Sequence, residues 1–208
     1  MKVLLINGSS NQTGCTYTAL SEIVKVFDAE EIDSEIIQLG NDPIRDCCAC
    51  WGCRQLDNQC IFDDDIVNKI LNKAKEADGF IFGSPVYYAH PSGRILSVLD
   101  RVFYAGSRVF KNKPGAAIVS GRRGGTTASF DVLNKYFSIS KMPIVTSQYW
   151  NMVHGNTPDE VMQDMEGLQT MRTLAKNMVW LLKCIEAGKK AGVQAPDIEK
   201  VIRTNFIR

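Results

Sequence analysis

The chain has 208 residues, 45% of them hydrophobic and 23% charged, enough for one large or two small domains with a true apolar core. Its 24 Lys and Arg nearly cancel its 23 Asp and Glu, so no overall field recruits nucleic acid or an anionic membrane. No stretch reaches the ~20 apolar residues of a membrane-spanning helix, and the apolar run in MKVLLING is too short for a signal-peptide core. A cytoplasmic protein with reduced thiols is the expectation.

Lys2–Asn7 is a short apolar run that stops at a Gly/Ser turn and predicts a first strand. Leu20, Ile23, Val24 and Phe27 then share one helical face, and Ser34–Leu39 predicts a second strand. Asp63, Asp64 and Asp65 place negative charge where a helix carrying Ile66, Ile70, Leu71 and Ala74 begins, favourable for capping and for the helix dipole. Gly79–Gly83 predicts a third strand. Pro91 is placed to open the next helix, whose apolar face holds Ile95, Val98, Leu99, Val102 and Phe103.

Ala116–Ser120 predicts a fourth strand, Thr126–Tyr136 a helix and Ile144–Ser147 a fifth strand. Thr157-Pro158-Asp159-Glu160 combines a capping box with Pro at the first helical position. The long helix expected after it presents Leu168, Met171, Leu174, Met178, Leu181, Leu182 and Ile185 to a core, with Cys184 among them, and stops near Gly188. Strands that alternate with helices and read as continuous apolar runs predict an α/β protein whose parallel sheet is covered on both faces. Nothing marks a linker or a repeat. One domain is expected over residues 1–208, with a cysteine-rich loop at 46–60 and a C-terminal helical extension from about 157.

In such sheets ligands bind beyond the carboxyl ends of the strands. Three loops belong there. Gly8-Ser9-Ser10-Asn11-Gln12-Thr13-Gly14-Cys15-Thr16 is small, hydroxyl-rich and feeds a helix N-terminus, so its amides and hydroxyls can converge on a phosphate. It has neither the Lys of a P-loop nor G-x-G-x-x-G, which favours one terminal phosphate over a triphosphate or pyrophosphate. Cys15, at a helix start, is expected to have a lowered pKa, although a small residue beside the phosphate is the favoured reading. Gly83-Ser84-Pro85-Val86-Tyr87-Tyr88-Ala89-His90 offers aromatic surface beside backbone polar groups, suited to a flat heteroaromatic ligand. Ser120-Gly121-Arg122-Arg123-Gly124-Gly125-Thr126 allows close backbone approach and carries two cations; an ordinary solvated turn is the simpler alternative.

Five of the seven cysteines fall between Asp46 and Cys60. Cys47, Cys50 and Cys53 are spaced C-x2-C-x2-C, and Cys60 follows after six residues. Chained short spacings of this kind aim several thiolates at one polynuclear iron–sulfur centre. Structural zinc, which favours two separated ligand pairs, fits less well, and free or disulfide-forming thiols remain a further reading. The only histidines are His90, read as a capping surface residue or a substrate contact, and His154, placed after strand five near the same loops. No Ser/His/Asp grouping or paired carboxylate points to hydrolysis.

The order strand–GSSxxxGxT–helix, then GSPVYY, then SGRRGG, with a compact cysteine motif ahead of the DDD helix, resembles the flavodoxin-like NADPH-dependent FMN reductases. Within them it is most similar to the iron–sulfur flavoproteins, over Met1 to His154. The resemblance implies a flavodoxin-like three-layer sandwich with a five-stranded parallel sheet in the order 2-1-3-4-5. It implies FMN with its phosphate at Ser9, Asn11, Cys15 and Thr16. The ring would lie at Pro85, Val86, Tyr87 and Tyr88, with Ser120, Gly121, Arg122, Gly124 and Gly125 along its other edge. A cation there, Arg122, would stabilise the reduced anionic ring at N1–C2=O.

It further implies a [4Fe–4S] cluster on Cys47, Cys50, Cys53 and Cys60, with Cys48 an extra thiol. NAD(P)H would stack transiently, or a ferredoxin-like donor would supply electrons, for a quinone, flavin, nitro or azo acceptor. No side chain is assigned as catalytic, because the flavin carries the chemistry. A homodimer or homotetramer is implied, with the cysteine loop and Trp51 at its interface. The rival class is a non-enzymatic electron carrier or thiol redox sensor, and a zinc-stabilised binding module is a third.

Overall fold

The computed structural model describes residues 1–197, 199–204 and 206. The first strand, β1 (Lys2–Asn7), is buried on both faces, which is why it reads as an unbroken apolar run. Its pleat divides it between two cores. Leu4 and Ile6 pack with Phe80, Phe82, Leu99 and Phe137, whereas Val3 and Leu5 pack with Ile23, Phe27, Met171 and Met178.

The remaining strands are β2 (Asp33–Gln38), β3 (Gly79–Tyr87), β4 (His90–Pro91), β5 (Gly115–Gly121) and β6 (Met152–His154). They form one sheet in the order β2-β1-β3-β5-β6, with β4 attached only to the end of β3. All pairs along that order are parallel, with Leu5 opposite both Ile36 and Ile81, and Val119 opposite Met152. Leaving out the two-residue β4, this is the 2-1-3-4-5 order expected, a flavodoxin-like three-layer α/β sandwich. One layer holds α1 (Cys15–Ala29), α5 (Pro158–Gln163) and α6 (Met165–Lys190). The other holds α2 (Val67–Glu76), α3 (Gly93–Phe110) and α4 (Thr126–Ile139). No helix is long and apolar enough to cross a membrane among the described residues.

Four expectations need correction. The regular fifth strand is Met152–His154, not Ile144–Ser147. Ile144 makes one isolated bridge to Gly115, and the chain then leaves the edge before returning. An edge strand has a ladder on one side only, so side-chain amides secure the excursion. Asn177 Nδ2 donates to Thr146 O at 2.7 Å, and Asn151 Nδ2 donates to Ala117 O at 3.0 Å.

Pro91 does not open a helix. It pairs with Val86 in β4, and Ser92 caps α3 by accepting from the Ile95 amide at 3.3 Å. The Thr157 capping box forms, with its hydroxyl accepting from the Glu160 amide at 3.2 Å, but α5 ends after six residues. Asp164 then caps a fresh helix, accepting from the Gly167 amide at 2.9 Å. Met171 and Met178 are core as expected, whereas Cys184 faces outward.

The start of β5 is packed without slack, since a Cβ on Gly115 would lie 2.6 and 2.8 Å from Phe137 ring carbons and 2.9 Å from Met142 Cε. Gly115→Ala therefore costs about 1–3 kcal/mol through overpacking. The check is urea denaturation, with a lower midpoint and an unchanged m-value.

Candidate functional site

Parallel strands deliver the three loops to one edge of the sheet, and short polar contacts sew them together. The Gly8 amide donates to Gly83 O at 2.8 Å, and Ser92 Oγ donates to Gly8 O at 2.8 Å. Ser84 Oγ accepts from the Ser92 amide at 2.9 Å. The buried hydroxyls of Thr16 and Ser120 meet at 2.8 Å, tying the first loop to the third.

Within the first loop, Ser9 is buried and turns the chain, because its amide reaches Asn7 Oδ1 at 3.1 Å and its hydroxyl accepts from the Asn11 amide at 3.0 Å. Asn11 is exposed. Gly14 precedes α1 with no side-chain cap, leaving the first amides of the helix directed at the loop. Two polar atoms beneath it, Asn7 Nδ2 and Gln38 Oε1, are buried without a partner among the described residues. Cys15 is half-buried with its thiol 3.6 Å from Gly155 O. Its expected low pKa is corrected: burial, aided by the charge of Glu160 and opposed by its own amide, pushes the thiol up.

The second loop is a β-hairpin rather than an irregular turn. Val86 and Tyr87 pair with Pro91 and His90, and the two residues at the tip, Tyr88 (φ 52°) and Ala89 (φ 58°), both lie in the left-handed region. A two-residue turn of this hand normally takes Asn-Gly, so the tip is strained. Tyr88 stands wholly in solvent at 105% relative exposure, and Tyr87 is exposed beside it, while Pro85 and Val86 are half-buried. His90 belongs to the hairpin and caps nothing.

In the third loop Gly121 is buried and packs against Val86, so a Cβ there would lie 3.3 Å from Val86 Cγ2. Gly125 has φ +92°, and a Cβ on it would come 2.5 Å from Ala89 Cα, a backbone atom that cannot step aside. Arg122, Arg123 and Gly124 are exposed, and neither arginine has a carboxylate partner among the described residues. His154 pairs with Gly121 across β5 and β6, placing it beside this loop.

The cysteine loop belongs to the connection from β2 to α2 and packs against Arg101, Tyr104 and Ala105 of α3. It has one 3₁₀ turn (Gly52–Gln55) and three non-glycine residues of left-handed backbone, Ala49, Trp51 and Asn58. Cys47, Cys48, Cys50, Cys53 and Cys60 line one small cavity of about 30 Å³ with Arg101, Tyr104 and Phe62. That is room for about two waters. Among the described residues no group of three or more His, Cys, Asp or Glu is arranged to hold a metal ion. The thiols do feel one another. Burial, then the charges of Cys60, Cys47 and Cys50, pushes the Cys53 thiol up. Trp51 is half-exposed, edge-on to Tyr104 at 5.6 Å, with the Arg54 guanidinium 3.9 Å above its ring.

The three aspartates are latches for this loop more than caps. Asp65 Oδ1 does accept from the Val67 amide at 3.1 Å, but its other oxygen pairs with buried Arg101. Asp64 pairs with Arg45 at 2.7 Å, and Asp63 accepts from Asn68 Nδ2 at 3.0 Å. Asn68 and Arg101 were not singled out by sequence. The available signal was slight, since Arg101 is one of two charged residues, with Asp100, between the core positions Val98 and Val102.

The fold is that of the flavodoxins and their kin: an archaeal flavodoxin structure superposes with a TM-score of 0.60 at 15% identity, covering 88% of this chain and 99% of that one. A family model described as NADPH-dependent FMN reductase matches residues 1–157, and the chain belongs to that family of FMN-dependent oxidoreductases. An iron–sulfur flavoprotein of Methanocaldococcus jannaschii is 33% identical over 195 residues, 89% of this chain and all of its own length. An FMN-dependent NADPH-azoreductase of Staphylococcus saprophyticus is 34% identical over 135 residues, 62% of this chain and 64% of its own.

The hydroxyl pair that joins the first and third loops is testable. Thr16→Val keeps the shape of the side chain but strands the buried Ser120 hydroxyl, lowering stability by about 1–3 kcal/mol in urea unfolding; Thr16→Ser retains the bond and loses less.

Proposed function

We propose that this protein is an FMN-dependent reductase that takes electrons from NAD(P)H or a ferredoxin-like donor and passes them to a small acceptor of the quinone, flavin, nitro or azo class. The observation that carries this reading is the single rim on which an uncapped helix N-terminus, a buried hydroxyl pair, an exposed aromatic hairpin and two exposed arginines stand together. The donor set suits a phosphate and an isoalloxazine ring. Ser9, Asn11, Cys15 and Thr16 would hold the phosphate with amides and hydroxyls. Pro85, Val86, Tyr87 and Tyr88 would flank the ring. Ser120, Gly121, Arg122, Gly124 and Gly125 would follow its other edge, where the Arg122 charge favours the reduced state. FMN supplies hydride acceptance and one-electron release. The chain's part is to grip the anion, orient the ring and leave one face open to NAD(P)H and acceptor.

Cys47, Cys50, Cys53 and Cys60 would hold a [4Fe–4S] centre, giving a one-electron port, with Cys48 outside the ligand set. The fit is chemical: thiols from both ends of one loop share one cavity, which must widen to take a polynuclear centre. The relatives named as iron–sulfur flavoproteins support this assignment. A cytoplasmic homodimer or homotetramer, with Trp51 at its interface, completes the reading.

The test is ligand binding and reduction. Purified protein is expected to bind FMN at least about tenfold more tightly than riboflavin, since charge-assisted hydrogen bonds to a phosphate contribute about 1.5–3 kcal/mol each. NAD(P)H should bleach the bound flavin. Protein that takes up no FMN sinks the proposal. Bleaching by reduced ferredoxin alone, with NAD(P)H inert, replaces the reductase by an electron carrier.

A further inference from the structure

Arg101 is 2% exposed, on the buried side of α3 directly beneath the cysteine loop. Every arm of its guanidinium is used. Nη1 pairs with Asp65 and donates to Arg45 O at 3.1 Å, and Nη2 donates to Phe62 O at 3.1 Å. Arg45 stands two residues before Cys47 and Phe62 two residues after Cys60, so one side chain clasps both ends of the cysteine segment. The remaining donor, Nε, points to a sulfur, 3.4 Å from Cys60 Sγ.

The backbone of Cys60 is held independently. Asn68 Oδ1 accepts from the Cys60 amide at 2.8 Å, and Asn68 Nδ2 donates to Cys60 O at 3.0 Å. Asn68 thus fixes the peptide of this residue, and the bond from Arg101 is made to its sulfur instead. A guanidinium is permanently charged, and burying one beside a carboxylate is costly unless geometry is good on all sides. Here the carboxylate lies on the Nη1 side and the sulfur on the Nε side, so the ion pair presents its positive end to the thiol cavity.

We propose that Arg101 sets the reduction potential of the cysteine-held centre: its Nε–H bond to the Cys60 sulfur, and its charge in a low-dielectric wall, stabilise the more electron-rich state. The inference rests on Cys47, Cys50, Cys53 and Cys60 being the ligands. Hydrogen bonds to ligating sulfurs and nearby charge are the protein's main levers on such potentials, and both converge in this one side chain. Lysine would keep the charge but lose the fixed Nε donor and the two-ended clasp.

The experiment is an anaerobic reconstitution of the full chain with iron, sulfide and FMN, followed by iron and sulfide analysis and a redox titration read by electron paramagnetic resonance and visible absorbance. Wild type is compared with Arg101→Lys, Arg101→Met and the double variant Arg101→Met/Asp65→Asn, which leaves no orphaned carboxylate. The Met variants should shift the midpoint of the centre to more negative values. At the wild-type midpoint their reduced-to-oxidised ratio should fall at least about tenfold, the scale of one lost charge-assisted bond. Arg101→Lys should fall between them and wild type, and the flavin midpoint should not move. A Met variant with full iron content and an unchanged midpoint overturns the proposal. So does loss of the centre in both Met variants while Arg101→Lys keeps the wild-type potential, which leaves a purely structural role. Wild-type protein that takes up no iron and sulfide removes the ligand assignment together with this proposal.

Discussion

Parallel pairing of β1 with β2 on one side and β3 on the other is the constraint from which the rest follows. A parallel strand must return through a crossover, so each strand-to-helix connection leaves at the same edge of the sheet. The GSS loop after β1, the hairpin after β3 and the Gly-rich turn after β5 therefore meet there, although up to 112 residues of chain separate Gly8 from Ser120. Close approach does the remaining work. Gly8 and Gly83 touch through their backbones, and Gly125 leaves room for Ala89 at a distance no side chain would permit.

The rim and the cysteine loop are built in different ways. The rim is made from backbone at strand ends, so its geometry is inherited from the sheet and needs few side chains to maintain it. The cysteine loop has no ladder, and none of residues 46–60 is fully buried. Side-chain polar bonds hold it instead: Asn68 on the Cys60 peptide, Arg101 on both flanks, Arg45 on Asp64 and over the Phe62 ring at 4.5 Å. Such a network is sensitive to the loss of any one member, because an unpaired buried charge is far costlier than an unpaired surface one. It also permits a loop with three left-handed non-glycine residues to persist in one arrangement.

Membership of the FMN reductase family agrees with this division. The matching family model ends at residue 157, just as α5 begins, and so covers the rim and the cysteine loop, whereas α6 lies beyond it. That last helix closes the second core, with Met171, Leu174 and Met178 against Val3, Leu5 and Ile81. Its polar face ties back to α1 through Arg172 and Glu22 at 2.6 Å.

Local pattern alone determined the layer architecture, the strand order's parallel character, most helix faces and the three loops at the carboxyl edge. Apolar periodicity and Gly/Ser turns are short-range signals, and burial on both faces of a strand leaves its mark residue by residue. The positions that pattern misplaced share a physical cause, which is that their state depends on a distant partner. Met152–His154 became the edge strand because Gly115 and Ala117 engage Ile144 and Asn151 and leave the stretch between them unpaired. Pro91 entered a hairpin because Val86 lay opposite it. Asp64 and Asp65 became latches because Arg45 and Arg101 reached them, and Arg101 itself, one of three arginines spaced seven apart along α3, acquires meaning only when the fold sets a cysteine sulfur against its Nε. Periodicity reports which face is buried. Only tertiary structure decides what it is buried against.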